Sequence, residues 1–232
     1  VDFYDHMNLV MQGKASTDRF VAIQTQYADI GQHLLHFLEN HDEQRIASPE
    51  FAGNADIGMP AMLVSATISS APSMLYFGQE VGEKGEGDAG FGKASRTTLF
   101  DYWGVPAHQR WMNGGKFDGG ALSKKEKNLR EFYARLLRIV RASPALTGDF
   151  ADLHTPNKNT PGYDGQLFSF ARWTANQKLV IVSNFSASQR KNFSLHLPDS
   201  LISQWHAADG QYRLNDKLLG TPYALRVKNG HG

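Results

Sequence analysis

Two short apolar runs, each ending abruptly in polar side chains, constrain the fold of this 232-residue chain more than any other feature. Residues 34–38 (Leu-Leu-His-Phe-Leu) lead into Glu-Asn-His-Asp, and residues 74–77 (Met-Leu-Tyr-Phe) lead into Gly-Gln-Glu. In an α/β barrel the C-terminal ends of the buried strands lie at the active-site face, so polar residues there indicate chemistry rather than packing. The two runs therefore predict two barrel strands with functional tips.

The composition excludes several classes of protein. With 41% hydrophobic residues, 20% charged residues and a net charge of +1, the chain has no electrostatic footprint for nucleic acid or an anionic membrane surface. No apolar stretch approaches the roughly 18 residues of a membrane span. Cysteine is absent, which excludes disulfides and thiolate metal sites. We expect no nucleic-acid partner and no membrane partner. The cellular location stays open, with a secreted or periplasmic one slightly favoured.

Helical patterns alternate with the two apolar runs in the first 145 residues. Residues 15–18 offer an N-cap for a helix whose apolar face continues to Ile30, and residues 59–68 form a mostly apolar run of helical length. A capping box at residues 123–126 begins a strongly periodic helix that ends at the Ser-Pro of residues 143–144. Helices that alternate with buried strands predict a parallel sheet or barrel.

The stretch from residue 82 to residue 120 is rich in glycine and carries several aromatic residues. Long glycine-rich loops of this kind are uncommon in compact domains unless they bind something or pack over a site. We keep two interpretations open, a binding loop and a surface loop whose aromatic residues cover the end of the barrel. The aromatic residues concerned are Phe91, Phe100, Tyr102, Trp103 and Trp111.

The pattern changes near residue 146, from helical periodicity to short strands separated by Asn, Gly, Pro and Ser. Strands are predicted at residues 167–173, 179–185, 193–197 and 223–227. This spacing is typical of an antiparallel sandwich. We therefore predict two domains, a partial barrel at residues 1–145 and a C-terminal β-sandwich at residues 146–232.

His41 and Asp42, at the tip of the first apolar run, allow several interpretations by themselves. An adjacent His-Asp pair can bind a metal ion, act as a general acid and base, or cap a helix. A metal site needs further ligands at recognisable spacing, and none is evident. We therefore predict no metal at this pair. The position at the end of an apolar strand favours a functional role.

Residues 37–42 (Phe-Leu-Glu-Asn-His-Asp) resemble the fourth conserved motif of the α-amylase family of glycoside hydrolases, Phe-x-x-Asn-His-Asp. Residues 75–82 resemble the last barrel strand of that family with the loop after it, and residues 96–102 resemble a segment of its bacterial members. The β-rich tail is similar to the family's C-terminal sandwich. The resemblance implies the C-terminal part of a (β/α)8 TIM barrel followed by an antiparallel β-sandwich.

The resemblance also implies roles for individual residues. Asp42 matches the third carboxylate of the family, which hydrogen-bonds sugar hydroxyls and stabilises the oxocarbenium-like transition state. His41 would be a neighbouring donor to the same sugar ring. Asn40 is expected to support the end of the strand, and Glu39 stays ambiguous. Three residues at the barrel rim, Tyr76, Gln79 and Glu80, are expected to be structural.

The chain departs from the family pattern in one respect that decides its activity. Retaining glycosidases need a nucleophile and an acid/base, with the two carboxyl groups about 5–5.5 Å apart. In this family both precede the His-Asp motif, and no Gly-x-Arg-x-Asp segment precedes residue 37 here. We expect a fragment of an α-glucan- or maltooligosaccharide-active enzyme that is inactive alone and has no cofactor of its own. The absent upstream part would carry any structural Ca²⁺. That part, or a second chain, would complete the barrel.

Two other functions remain open from the sequence. The β-sandwich could be a non-catalytic carbohydrate-binding or structural module, with Trp173, Trp205 or Tyr212 stacked on sugar rings. The chain could instead be a His-Asp phosphohydrolase, which would require a divalent metal ion at His41 and Asp42.

Overall fold

The computed structural model describes residues 2–86, 96–97, 99–100 and 105–232. Short 3-10 turns lie at Gly31–His33, Gln79–Val81, Asn113–Gly115 and Pro144–Thr147. The α-helices of the described residues are α1 (Asp2–Met11), α2 (Arg19–Gln26), α3 (Met59–Thr67), α4 (Pro106–Met112), α5 (Lys124–Ala142), α6 (His154–Asn157) and α7 (Asp199–Gln204). The strands are β1 (Asp149–Asp152), β2 (Leu167–Trp173), β3 (Lys178–Asn184), β4 (Gly210–Asn215) and β5 (Pro222–Val227).

The strands form two antiparallel sheets, as the turn-rich C-terminal part predicts. β2 is the central strand of a sheet with the order β1-β2-β3, in which Phe170 lies opposite Asp152 on one side and Ile181 on the other. β4 and β5 form a separate hairpin. The predictions for β2, β3 and β5 are confirmed to within one residue, whereas β1 and β4 carry too few alternating apolar residues to be recognised.

The three-stranded sheet lies between two layers of apolar side chains. Phe168 and Phe170, on one face of β2, join a large core built mainly by α1, α2, α3 and α5. Ala171 and Trp173, on the other face, join a smaller core with α7 and Val227 of β5. Every residue of β2 is buried, because the strand is covered on both faces.

The larger core is continuous across residue 146. It contains Met7 and Leu38 from the first part of the chain together with Phe168, Phe170 and Ile181 from the second. The division into domains at residues 1–145 and 146–232 stays a prediction, and the apolar contacts connect its two sides.

The two predicted barrel strands are not assigned as strands. The backbone is extended around one parallel bridge, between His36 and Ser73, which joins the first extended segment (residues 34–38) to the start of the second (residues 74–77). The His36 amide donates to Pro72 O (2.9 Å) and the Met74 amide donates to His36 O (2.8 Å). Within the described residues neither segment has a second parallel neighbour, so the hydrogen-bonding pattern that defines a strand does not continue. A complete barrel is not seen in this part of the chain.

The predicted strand at residues 193–197 is also wrong, and a side chain explains why. The Asn157 Nδ2 donates to His196 O (2.8 Å), and the His196 amide donates to Asn157 Oδ1 (2.8 Å). The Asn157 side-chain amide therefore satisfies the backbone N–H and C=O of His196, the two groups that a neighbouring strand would pair at this residue. The segment keeps its alternating burial without belonging to a sheet.

The helical predictions are confirmed where capping or apolar periodicity is strong. α3 begins at Met59 with proline in its first turn, and α5 begins after Ser123 with both hydrogen bonds of a capping box. α2 begins after Asp18, whose side chain makes no capping bond to the helix. α1 covers a region whose mixed sequence pattern carries no clear assignment, and it buries Tyr4, His6, Met7 and Val10.

Candidate functional site

The tip of the first extended segment is a tight loop at residues 40–44, which Asn40 fixes. Its side-chain Oδ1 accepts hydrogen bonds from the backbone N–H groups of Asp42 (2.7 Å) and Glu43 (2.8 Å). Asparagine favours this geometry because its short side chain reaches the backbone two and three residues further along. The bonds hold the backbone that carries the Asp42 side chain.

His41 and Asp42 lie together at the surface of this loop. The His41 Nε2 is 3.2 Å from Asp42 Oδ2, and the two side chains are 51% and 70% exposed. The Arg96 Nη1 donates to the backbone oxygen of Asp42 at 3.3 Å. An ionised carboxylate only accepts hydrogen bonds, whereas the imidazole can donate. Both side chains therefore present hydrogen-bonding atoms to solvent, side by side.

Glu39 and Arg45 close the base of the same loop. The Arg45 Nη1 donates to Glu39 Oε2 at 2.7 Å, and the Ile46 amide donates to Glu39 Oε1 at 2.7 Å. The side chains of Arg45 and Glu39 are 0% and 2% exposed. Burial raises the pKa of Glu39, and the Arg45 guanidinium opposes that rise. Glu39, which the sequence left ambiguous, is thus a buried anchor rather than a group offered to a ligand.

The Arg45 guanidinium also joins the loop to the second extended segment. Its Nη1 donates to Phe77 O (2.8 Å) and its Nη2 donates to Thr97 Oγ1 (2.5 Å). The cation lies 4.5 Å from the centroid of the Tyr76 ring and 5.1 Å from that of Phe77. Sequence reasoning missed Arg45. The available signal was a basic residue six positions after an acidic residue at a strand end.

Two of the predicted rim residues, Tyr76 and Gln79, serve the fold. The buried Gln79 side chain accepts from the Tyr76 amide (3.2 Å) and donates to Tyr133 Oη of α5 (3.3 Å). The Tyr76 hydroxyl donates to Thr97 O (3.1 Å), and burial raises the pKa of Tyr76. Gly78 has a φ of +82°, a conformation that favours glycine, so the chain turns immediately after Phe77.

A second buried carboxylate, Glu83, was also missed from the sequence. Its Oε1 accepts from the amides of Lys84 (2.9 Å) and Gly85 (3.0 Å), and its Oε2 accepts from the amide of Ala107 (2.7 Å) at the start of α4. These three backbone donors occupy both oxygens. Glu83 therefore holds the loop after the second segment against α4 and is not exposed to a substrate.

The aromatic residues of the region at residues 82–120 are only partly described. Phe91, Tyr102 and Trp103, with positions 98 and 101 of the segment at residues 96–102, lie outside the described residues. Trp111 stacks on His108 at a centroid distance of 5.5 Å and packs on the small core of Val81, Ala107 and Leu122. For Trp111 the packing interpretation is the one that the structure supports.

The three aromatic residues considered as a sugar platform separate into two groups. Trp173 and Trp205 are buried and contact each other edge to face at 6.3 Å, so neither is available for stacking on a sugar. Tyr212 is 38% exposed and donates to Ala208 O (2.8 Å). Tyr223, which is 57% exposed, lies on the same face of the β4–β5 hairpin.

The part of the chain that the structure describes has neither a cluster of metal ligands nor a membrane-spanning helix. No three His, Asp or Glu side chains there are grouped as ligands for a metal ion. No helix in the same ranges is both long and apolar enough to cross a bilayer.

The chain shares its fold with part of a solved enzyme, the noncanonic maltogenic α-amylase AmyB from Thermotoga neapolitana. The TM-score is 0.62 at 14% sequence identity, and the match covers 99% of this chain and 46% of that one. This chain thus spans less than half the length of that protein. A gamma-CGTase from alkalophilic Bacillus clarkii matches over 96% of this chain and 29% of its own, at 17% identity and a TM-score of 0.48. No protein-family model and no curated protein matches the chain. The α-amylase resemblance is confirmed for the fold.

Proposed function

We propose that this chain is the C-terminal portion of a retaining, α-glucan-active glycoside hydrolase of the α-amylase type, in which Asp42 stabilises the transition state. The observation that carries the proposal is the loop at residues 40–44. It presents an open carboxylate on a backbone fixed by Asn40, directly after an extended segment that pairs in parallel with its neighbour. The shared fold with part of a maltogenic α-amylase supports it.

Asp42 suits the role because its carboxylate is exposed and its backbone is held. A carboxylate that accepts hydrogen bonds from sugar hydroxyls favours the distorted ring, and such bonds strengthen as the anomeric carbon gains positive charge. His41, 3.2 Å away, would add a donor to the same ring. The loop at residues 40–44 is already ordered by Asn40. A loop that became ordered only on binding would lose part of the binding free energy that these hydrogen bonds supply.

The two buried carboxylates of the described residues, Glu39 and Glu83, do not supply the remaining catalytic groups. Both oxygens of Glu39 are occupied by Arg45 and the Ile46 amide, and both oxygens of Glu83 by backbone amides. A retaining mechanism requires two further carboxyl groups about 5–5.5 Å apart. We therefore propose that the nucleophile and the acid/base come from polypeptide outside this chain, and that the chain is inactive alone.

The extended segments at residues 34–38 and 74–77 need further strands beside them. Parallel strands are stable when both edges are paired and both faces are covered. Residues 34–38 pair in parallel through a single bridge, and Leu35 is half exposed. We propose that the rest of the barrel, from the upstream part of the enzyme or from a second chain, packs here. Light scattering that shows a stable, non-aggregating monomer of this chain alone would contradict this part.

Titration of the isotope-labelled chain with maltoheptaose, followed by amide NMR, tests the site. We expect shifts centred on residues 40–44, with weak affinity because most of the binding cleft lies outside the chain. Asp42→Asn should abolish them. The matched control is Asp29→Asn, which changes an exposed aspartate elsewhere and should leave the titration unchanged. Shifts that avoid residues 40–44 would overturn the assignment of Asp42.

A second candidate function follows from the exposed face of the hairpin. Tyr212 and Tyr223 lie diagonally across β4 and β5 with partly exposed rings, a placement that could stack on sugar faces without catalysis. The same titration separates the two functions. Shifts at Tyr212 and Tyr223 that disappear in Tyr223→Ala but persist in Asp42→Asn would favour a carbohydrate-binding module.

A further inference from the structure

We propose that the buried pair Glu39–Arg45 is a positioning device that sets the orientation of Asp42 relative to the end of the second extended segment. This inference rests on the proposed function for its significance in catalysis. The positioning of Asp42 by the pair depends on residues of this chain alone. Neither residue contacts solvent appreciably, so neither is proposed as a catalytic residue.

The pair of Glu39 and Arg45 joins the two ends of the loop at residues 40–44. Glu39 immediately precedes residues 40–44, and Arg45 and Ile46 immediately follow them. One oxygen of Glu39 accepts from Arg45 and the other accepts from the Ile46 amide, both at 2.7 Å. The carboxylate therefore holds the entry and the exit of the loop at a fixed separation.

Arg45 also connects this loop to a different part of the chain. Its guanidinium donates to Phe77 O at the end of the second segment and to Thr97. A planar guanidinium with several fixed donors can serve three acceptors at once, which the single ammonium of lysine does with less directional control. The loop at residues 40–44 is thus oriented by the end of the neighbouring segment.

The pair is also connected to Asp42, through the residues that hold the Asp42 backbone. Two contacts hold the Asp42 backbone, one from Asn40 Oδ1, which accepts from its amide, and one from Arg96 Nη1, which donates to its carbonyl oxygen. Asn40 directly follows Glu39, and Arg96 directly precedes Thr97, the residue that Arg45 contacts. Both supports of Asp42 therefore start from residues adjacent to the buried network.

The burial of the pair favours orientation over stability as its main role. Desolvating two charges offsets much of their attraction, so an apolar pair of similar volume is often equally stable. An ion pair differs from such a replacement in its directional bonds. We infer that the chain uses the pair for the geometry of these bonds.

The test compares local order with global stability in two variants. Glu39→Gln leaves the buried Arg45 cation without its carboxylate, and we expect a loss of more than about 5 °C in Tm. The double variant Glu39→Gln with Arg45→Met removes both charges, and we expect Tm to recover most of that loss. In both variants, hydrogen exchange at the Asp42 and Glu43 amides should be at least about tenfold faster than in the unmodified chain.

A remote variant provides the control, and the outcomes separate the two claims. Ser123→Ala removes the capping box of α5 and should lower Tm without changing exchange at Asp42 and Glu43. If exchange at these amides returns to the unmodified rate together with Tm in the double variant, the pair is merely structural and the inference is overturned. If exchange behaves as expected but maltoheptaose never binds at residues 40–44, the proposed function fails while the positioning role stands.

Discussion

The Arg172 Nη1 donates a hydrogen bond of 2.8 Å to the carbonyl oxygen of Ile68, and this bond joins the central strand of the sheet to the end of α3. The same buried guanidinium donates to four more carbonyl oxygens, which belong to Thr67, Leu146, Gly148 and Asp149. A cation at a helix C-terminus also interacts favourably with the helix dipole. Burial lowers the pKa of Arg172 to about 10, so the side chain stays charged near neutral pH.

Replacing Arg172 with methionine should destabilise the chain by at least about 3 kcal/mol, because five buried carbonyl oxygens lose a donor. Urea unfolding measures the change. Arg138→Met is the matched control, since Arg138 is exposed and, within the described part of the chain, its side chain donates only to Ala134 of its own helix. We expect the control to stay within about 0.5 kcal/mol of the unmodified chain. Equal effects of the two substitutions would contradict the anchoring role of Arg172.

Gly148 should not tolerate a side chain. A Cβ at this position would lie 1.9 Å from Trp173 O and 2.7 Å from Thr174 Cγ2, so the edge of the sheet would have to move. Gly148→Ala should cost about 1–3 kcal/mol through overpacking. Gly31→Ala is the control and should have little effect, because its added Cβ would meet no heavy atom of the described residues within 4 Å, the adjoining residues aside. Thermal unfolding of both variants tests this, and a neutral Gly148→Ala would show that the sheet edge can adjust.

Stability at acidic pH should depend on Asp18. Hydrogen bonds from Lys158, His154 and Ser16 hold the pKa of Asp18 well below its usual range. Because the folded-state pKa lies below the unfolded value of about 3.9, the stabilisation is present above that pH and is lost as pH falls toward the folded pKa. The carboxylate is about half exposed, so we expect a contribution of at most about 1 kcal/mol.

Tm measured from pH 6 to pH 2 for the unmodified chain and Asp18→Asn provides the check. The gap between the two should be largest above about pH 4 and should narrow below it. In the control Asp29→Asn an exposed aspartate changes, and its Tm should vary with pH as that of the unmodified chain does. A gap for Asp18→Asn that stays constant down to pH 2 would mean that the ionised form of Asp18 contributes nothing.

Asp42→Asn should leave the fold intact, because the side chain is 70% exposed. We expect a change in unfolding free energy within about 0.5 kcal/mol. Neither the unmodified chain nor the variant should release reducing sugar from starch. Turnover by the unmodified chain that is lost in Asp42→Asn would refute the proposal that the other catalytic carboxylates lie outside this chain.

Local signals in the sequence predicted the elements whose stability is local. The Ser123–Glu126 capping box predicts the start of α5. The alternation of β2 and β3 places Phe168 and Phe170 on one face. The loop carrying His41 and Asp42 was predicted from its position after an apolar run, and the structure places both side chains together at the surface.

Interactions between distant residues account for what was not predicted. Residues 193–197 have the alternation of a strand, but Asn157, nearly forty positions earlier, bonds both backbone groups of His196. Arg45 contacts Thr97 across 52 positions of sequence, and no local pattern indicates that partner. The barrel strands are reduced to one bridge because a parallel ladder depends on neighbours far away in sequence.

The core that crosses residue 146 limits how this polypeptide can be recombined with others. Expressing residues 146–232 by themselves, or grafting them onto a foreign catalytic module, would uncover Phe168, Phe170 and Ile181 and remove the α3 carbonyls that receive Arg172. Gene fusions that keep α1, α2, α3 and α5 with the sheet should retain this core. Those that cut between α5 and β1 should yield material that aggregates or is degraded.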